Sequence, residues 1–265
     1  MLPLGDAREP DSVEAWALGY ISTRSLREKL APQPPPARWE PHPLARDITA
    51  PGRPPELRLA HRNRAVPEDL RQPSARAKLL HSFFHHELQA AELMCWALLR
   101  FADAEPGFRK GLLGICLDEI RHMNAYRESI ERLGFQIGAF AVRDWFWPRV
   151  SRCASKLEFV AFMGMGLEAA NLEHAPYFGA RLKAAGDPEA AALQARIATE
   201  ELAHVRFAVN WFERWTAGLD FATWQRALPA PLSPLLLRGK NFDRAARLRA
   251  GMREPFVSDV ERWQL

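Results

Sequence analysis

Two short stretches carry the residue types best suited to chemistry: Asp118-Glu119-Ile120-Arg121-His122 and Glu200-Glu201-Leu202-Ala203-His204. Each contains Glu-x-x-His inside an apolar-periodic run. On a helix, residues i and i+3 share a face, with Cβ atoms about 5–6 Å apart. Glu119 with His122, and Glu201 with His204, can therefore each grip an ion from one side. One such motif arises by chance on many surface helices. Here each copy follows a lone glutamate in an apolar stripe, at a matched distance. Glu87 lies 32 residues before Glu119, and Glu168 lies 33 before Glu201. That separation fits one long helix, a short turn and half of the next helix, used twice.

The six residues Glu87, Glu119, His122, Glu168, Glu201 and His204 supply oxygen and nitrogen donors without thiolate. Such a set suits iron or manganese, with zinc able to intrude by raw affinity. Two divalent ions would balance four glutamates and leave the histidines neutral. Without metal, four clustered carboxylates would repel one another, and some would take protons. Bundles that hold two such ions use a Glu from each of two helices and Glu-x-x-His from each of the other two. The expected cofactor is two Fe ions, with Mn/Fe or Mn as alternatives and Zn as a substitute. Metal-bound histidines usually give their other N–H to a carboxylate or carbonyl. Asp118 and Glu200 each immediately precede a ligand glutamate. Each is expected to support the histidine of the opposite half, Asp118 with His204 and Glu200 with His122. Tyr126, one turn beyond His122, reads either as a packed core residue or as a phenol close to the site.

The elements that must position these residues are legible as an all-α chain, a ferritin-like antiparallel four-helix bundle. The first helix is expected over roughly 75–103, where Leu80, Phe84, Glu87, Ala91, Met94 and Leu98 recur at helical spacing. His81, His85, His86 and Glu92 fall on other faces and are not taken as ligands. The second is expected over 107–133, with Gly134 as its stop. Residues 135–153 read as a long crossover in which Asp144, Trp145 and Trp147 pack. The third runs over 155–185, with Pro176 expected to kink it. Gly186-Asp187-Pro188 stops it and starts the fourth, which runs to about Ala217. Gly164, Gly166, Ala91, Ala169, Ala198 and Ala208 are small. They allow either close helix approach or a cavity.

Residues 1–74 form an N-terminal arm rich in proline, holding 13 of the 21 prolines with Pro34-Pro35-Pro36 among them. One helix is expected in it, over about Asp11–Lys29. Trp39, Leu44, Leu57 and Leu59 suggest that the arm packs across the bundle at 75–218. The tail, 219–265, is locally basic with a short helix or two. Arg238, Lys240, Arg244 and Arg247 could form an anion-binding face or a simple solvated one. The chain has 265 residues, 48% of them hydrophobic, and a net charge of +4. That permits an anionic partner without demanding one. No apolar run reaches membrane-spanning length and no signal pattern opens the chain, so a cytoplasmic location without membrane contact is expected. The three cysteines are scattered, which favours neither a disulfide framework nor a thiolate zinc site.

At these residues the chain resembles the ferritin-like di-iron carboxylate superfamily over about 75–217. The run His85-His86-Glu87-Leu88-Gln89-Ala90-Ala91-Glu92, then Asp118-Glu119-x-x-His122, then Leu167-Glu168-Ala169, is similar to a bacterial ferritin-like family of unknown function. Pro51-Gly52-Arg53-Pro54 and Arg238-Gly239-Lys240-x-Phe242 extend that similarity. Ala170-Asn171 departs from it, where a basic residue and glycine would be expected. A more distant resemblance is to the tRNA-modifying hydroxylase that acts on isopentenyl-adenosine. The resemblance implies a four-helix bundle and a dinuclear site, and names no substrate. The leading expectation is a di-iron oxidoreductase that uses O2 to hydroxylate or oxidise an organic substrate, such as a modified nucleoside or small metabolite. No built-in flavin or nicotinamide site is evident, so an external electron donor protein or the substrate would supply electrons. The alternatives are an iron-handling or ferroxidase protein, and a metal-stapled RNA- or protein-binding bundle. A dimer is compatible with all of them.

Overall fold

The computed structural model describes residues 10–60, 69–237 and 241–264. The chain is all-helical, and the described residues contain no strand, only an isolated bridge between Leu59 and Val142. Four long helical stretches dominate. Helix α3 (Pro73–Arg100) and helix α4 (Pro106–Arg132) are joined by the short turn 101–105 and pack along their length. Each begins with proline at its first position, where the missing N–H costs nothing. Gly134, at φ +84°, ends the second of them as its sequence position suggests.

The third long stretch is not one regular helix. After a short α5 (Trp147–Val150) in the crossover, it comprises α6 (Lys156–Phe159), a π-helical segment (Val160–Glu168) and α7 (Ala169–Ala184). Pi-helical turns widen the backbone by a residue per turn and are found frequently at functional sites. This one ends on Glu168. Pro176 lies inside α7, which continues through it. Gly186 at φ +82° and the Asp187 side chain, which accepts from Ala190 N at 3.0 Å, then start α8 (Pro188–Thr216). Helix α8 packs against α7, the π-helical segment and α4. At Gly164 an added Cβ would sit 2.3 Å from Ala208 Cβ. The small residues there serve close helix approach.

The arm folds as α1 (Val13–Ser22) and α2 (Leu26–Leu30), not as the single expected helix. Ser12 caps the first, accepting from Ala15 N. Ser25 caps the second, accepting from Glu28 N. Helix α1 lies on α3 and α2 on α4, burying Trp16, Tyr20 and Ile21. Leu57 is buried and Trp39 packs under the Arg109 guanidinium, as expected of a docked arm. Leu44 and Leu59, however, have exposed side chains, at 79% and 47%, and Leu59 contributes only its backbone bridge to Val142.

The tail carries α9 (Phe221–Arg226), a 3-10 turn (Pro234–Leu237), α10 (Arg244–Arg249) and α11 (Glu254–Arg262). Arg238 and Lys240 lie outside the described residues. Arg244 pairs with Glu254 and Glu261 of α11, and buried Arg247 donates to Glu173 Oε1 of α7 at 2.8 Å. Carboxylates of the chain itself thus engage both guanidiniums read as anion contacts, Arg244 holding α10 to α11 and Arg247 holding it to α7. No helix of the described residues is long and apolar enough to cross a membrane.

Candidate metal centre

Glu87 comes from α3, Glu119 and His122 from α4, Glu168 from the end of the π-helical segment, and Glu201 and His204 from α8. All six are buried. Glu87, Glu119, His122 and Glu201 each offer one ligand atom, and these atoms all lie within 4.8 Å of one another. His204 joins them, its Nδ1 3.0 Å from Glu201 Oε2 and 3.1 Å from Glu119 Oε1. His122 Nδ1 faces the same two glutamates, at 3.3 Å from Glu119 Oε2 and 3.9 Å from Glu201 Oε1. The imidazole centroids are 6.0 Å apart. Glu168 lies against Glu201, and Glu87 against Glu119.

The far nitrogens of both rings point the other way. His122 Nε2 shares a 2.8 Å hydrogen bond with Glu200 Oε2, and His204 Nε2 a 3.3 Å one with Asp118 Oδ2. These are the crossed pairs expected from sequence. The arrangement turns each Nδ1 inward. A residue that sequence did not single out ties the two carboxylates together. Arg121 donates from Nη2 to Asp118 Oδ1 at 2.6 Å and from Nη1 to Glu200 Oε2 at 3.2 Å. Its side chain is 60% exposed, so removing it costs little stability. Arg121→Ala should nevertheless weaken metal binding about tenfold, because both outer carboxylates lose their anchor. A competition titration against a chelator measures this. Unchanged affinity would show that the carboxylates hold their positions unaided.

Burial dominates the electrostatics. It pushes the Glu87 carboxyl well above its ordinary value, helped by the charges on Glu119 and Glu201. Glu168 rises for the same reason, next to Glu201 and Glu119. Burial would raise Glu119 too, but hydrogen bonds from His122 and His204 outweigh it and hold Glu119 low. In turn His122 is lifted to about 9 against the burial penalty, chiefly by Glu119, and His204 is lifted by the Glu201 charge. Without metal the cluster therefore favours the protonated forms of Glu87, Glu168, His122 and His204. A divalent ion needs carboxylates ionised and imidazoles neutral. Loading divalent ions should thus release protons from both the glutamates and the imidazoles, and affinity should climb with pH. The sign follows because the loaded state binds fewer protons. Indicator dye in weakly buffered solution reads the release. About one proton per ion or fewer, no more than the histidines alone supply to two ions, would mean that the glutamates were already ionised.

Within the cluster, Glu168 Oε1 lacks a hydrogen-bond donor, and Glu119 Oε1 has no aligned one, only the 3.1 Å contact with His204 Nδ1. Orphaned carboxylate oxygens at the centre of a Glu/His cluster are what a cation would satisfy, so the residues fit a bound metal. Other groups nearby have settled partners. Asn171 Nδ2 donates to Glu201 Oε1 at 3.4 Å, and Tyr126 is buried with its hydroxyl held by Gln194 Nε2 at 2.9 Å. His81, His85 and Glu92 stay off the cluster, as their faces indicate. His81 Nε2 accepts from Gly138 N at 2.7 Å, and His85 Nε2 is 2.7 Å from Asp144 Oδ1. Asp144, read from sequence as packing, in fact also pairs with Arg53. Arg53 reaches Glu92, whose other oxygen is 2.9 Å from Lys29 Nζ. The sequence sign of this second network was a further charge, Glu92, inside the apolar run of α3.

Fold and site together define an all-helical protein with a buried glutamate and histidine cluster able to hold a metal ion. Residues 12–258 match the family described as Protein of unknown function (DUF455), and the chain belongs to that family. No curated protein and no solved structure matches it.

Proposed function

We propose that the protein is a dinuclear metal oxidoreductase that uses O2 to hydroxylate or oxidise an organic substrate. Glu87, Glu119, His122, Glu168, Glu201 and His204 would hold the ions, iron first, with manganese or a mixed pair also suited to these donors. The observation that carries the reading is the opposed pair of Glu-x-x-His turns, each imidazole aiming Nδ1 at both Glu119 and Glu201. A structural ion needs only one closed set of ligands. Two half-sets facing each other, with one further glutamate on each side, suit a pair of ions. Bound there, iron would supply the activation of O2 that such an oxidation requires.

The chain's own residues set the conditions for that chemistry. Asp118 and Glu200 fix the orientation of the two rings through their Nε2 hydrogen bonds. The buried surround keeps bulk water from the carboxylates, which strengthens every charge interaction among them. Glu87 and Glu168, both proton-holding without metal, are the groups able to move a proton as ligation changes. Electrons would come from an external donor protein or from the substrate.

An oxygen electrode tests the reading on protein loaded anaerobically with Fe(II). Uptake that scales with bound iron, and is absent in Glu201→Ala, is the expected result. Uptake sustained by excess Fe(II), with a large mineral-bearing assembly in light scattering, would reassign the protein to iron handling. No uptake by iron-loaded protein would leave the metal as a staple.

A further inference from the structure

Outside the glutamate and histidine cluster, the described chain buries a second set of reactive atoms that the proposed chemistry does not use. Cys95 of α3 and Cys116 of α4 face each other with Sγ atoms 3.4 Å apart, and both are free thiols. They are 1% and 0% exposed. A disulfide needs about 2 Å between the sulfurs, so closing this one takes a shift of about 1.4 Å shared by two side chains. Cys116 sits one turn before Glu119 on α4, which puts its Cβ about 5–6 Å from that of a cluster glutamate. From the other side the arm roofs the pair. Tyr20 and Lys29 lie close enough to feel the charge of the thiols, and Lys29 Nζ is 4.9 Å from the centre of the Tyr20 ring.

We infer that Cys95 and Cys116 are an oxidisable dithiol that closes to a disulfide between α3 and α4 at the expense of hydrogen peroxide. One sulfur attacks a peroxide oxygen, breaking the O–O bond and giving a sulfenic acid and water. The second sulfur then displaces the hydroxyl of the sulfenic acid, forming S–S and a second water. Two thiols lose two electrons and two hydrogens, and one peroxide becomes two waters. Complete burial selects the oxidant. Glutathione disulfide and protein disulfides cannot approach the sulfurs, whereas a small uncharged peroxide can. Burial also raises the Cys116 thiol, which slows attack by peroxide at bulk concentration and favours peroxide arising nearby. The cluster one turn away would be that source when it holds iron, two Fe(II) giving one electron each to O2, which takes up two protons and leaves as hydrogen peroxide. This last step alone rests on the proposed oxygen chemistry. The pair would then protect the ligands from stray oxidant, and its disulfide would tie together the two helices that carry Glu87 and Glu119.

The test is intact mass and thiol alkylation of the full-length protein after denaturation. Metal-free protein treated with hydrogen peroxide should lose about 2 Da, and its alkylatable thiols should fall from three to one, reversibly with a reductant. Cys95→Ser and Cys116→Ser should each abolish the loss. Three thiols still alkylatable, or oxygen added to Cys153 alone, would overturn the inference whatever the metal content. In a second arm, iron-loaded protein exposed to O2 without peroxide should form the same crosslink. Glu119→Ala should not, yet should still respond to added peroxide. Success of the first arm with failure of the second would keep the dithiol and remove the cluster as its oxidant source.

Discussion

Purified from iron-replete medium, the protein is expected to carry about two iron atoms per chain, and Glu119→Ala and His204→Ala are each expected to lose nearly all of it. The reason for so large an effect from one residue lies in the geometry. Glu119 faces His122 Nδ1 at 3.3 Å and His204 Nδ1 at 3.1 Å, so it serves both halves of the cluster. Removing it leaves Glu201 as the one remaining carboxylate that faces both Nδ1 atoms. His204→Ala removes the nitrogen donor of one half and strands Asp118 on the outer side. Mass spectrometry of the metal content gives the answer, with circular dichroism to confirm that both variants stay helical. Wild type free of metal, even after anaerobic loading, would sink the enzyme reading. About one ion per chain, retained by His204→Ala, would reduce the site to the Glu87, Glu119, His122 and Glu201 group.

The long helices and the inward glutamates were legible because their signal is local. Gly134, Gly186-Asp187-Pro188 and the apolar period mark where α4 ends and α8 begins. The crossed pairing of Asp118 with His204, and Glu200 with His122, was legible too, because the two halves repeat one spacing. The π-helical segment was not. Val160–Glu168 has no proline to break a regular helix, its one charge, Glu168, fits an inward helical face, and the segment packs against α8 and the 3-10 turn. Gly164 and Gly166 permit that packing, since a Cβ on either would strike Ala208 or Leu237. Nor could the sequence show that Arg53, 39 residues before Glu92, would meet it inside the protein. A proline-rich arm carries no periodicity from which to read its docking. The same gap explains why Asp144 passed as a packing residue.

That hidden network yields the second large effect, on stability. Lys29 and Glu92 are both fully buried, their ion pair is 2.9 Å long, and Arg53 completes it. The Lys29 ammonium also donates to the Tyr20 and Ile21 carbonyls, which ties the arm to α3 through one nitrogen. Glu92→Gln keeps the shape and removes the charge, leaving a buried ammonium and a largely buried guanidinium short of a partner. Breaking a buried pair from one side costs about 3–5 kcal/mol, so the denaturation midpoint should fall sharply. The variant should also show a particular pH response. Burial already lowers Lys29 below its usual 10.5, and Glu92 opposes that fall. Without the Glu92 charge the folded-state value drops further, so the folded chain binds fewer protons than the unfolded chain across a wider range. Stability then rises with pH up to the unfolded value, and the deficit shrinks as the solution becomes alkaline. Adding Lys29→Met to Glu92→Gln should recover part of the loss, because the stranded charge is gone. A loss under about 1 kcal/mol, flat with pH, would mean that water reaches the pair and the arm is held by its apolar contacts alone.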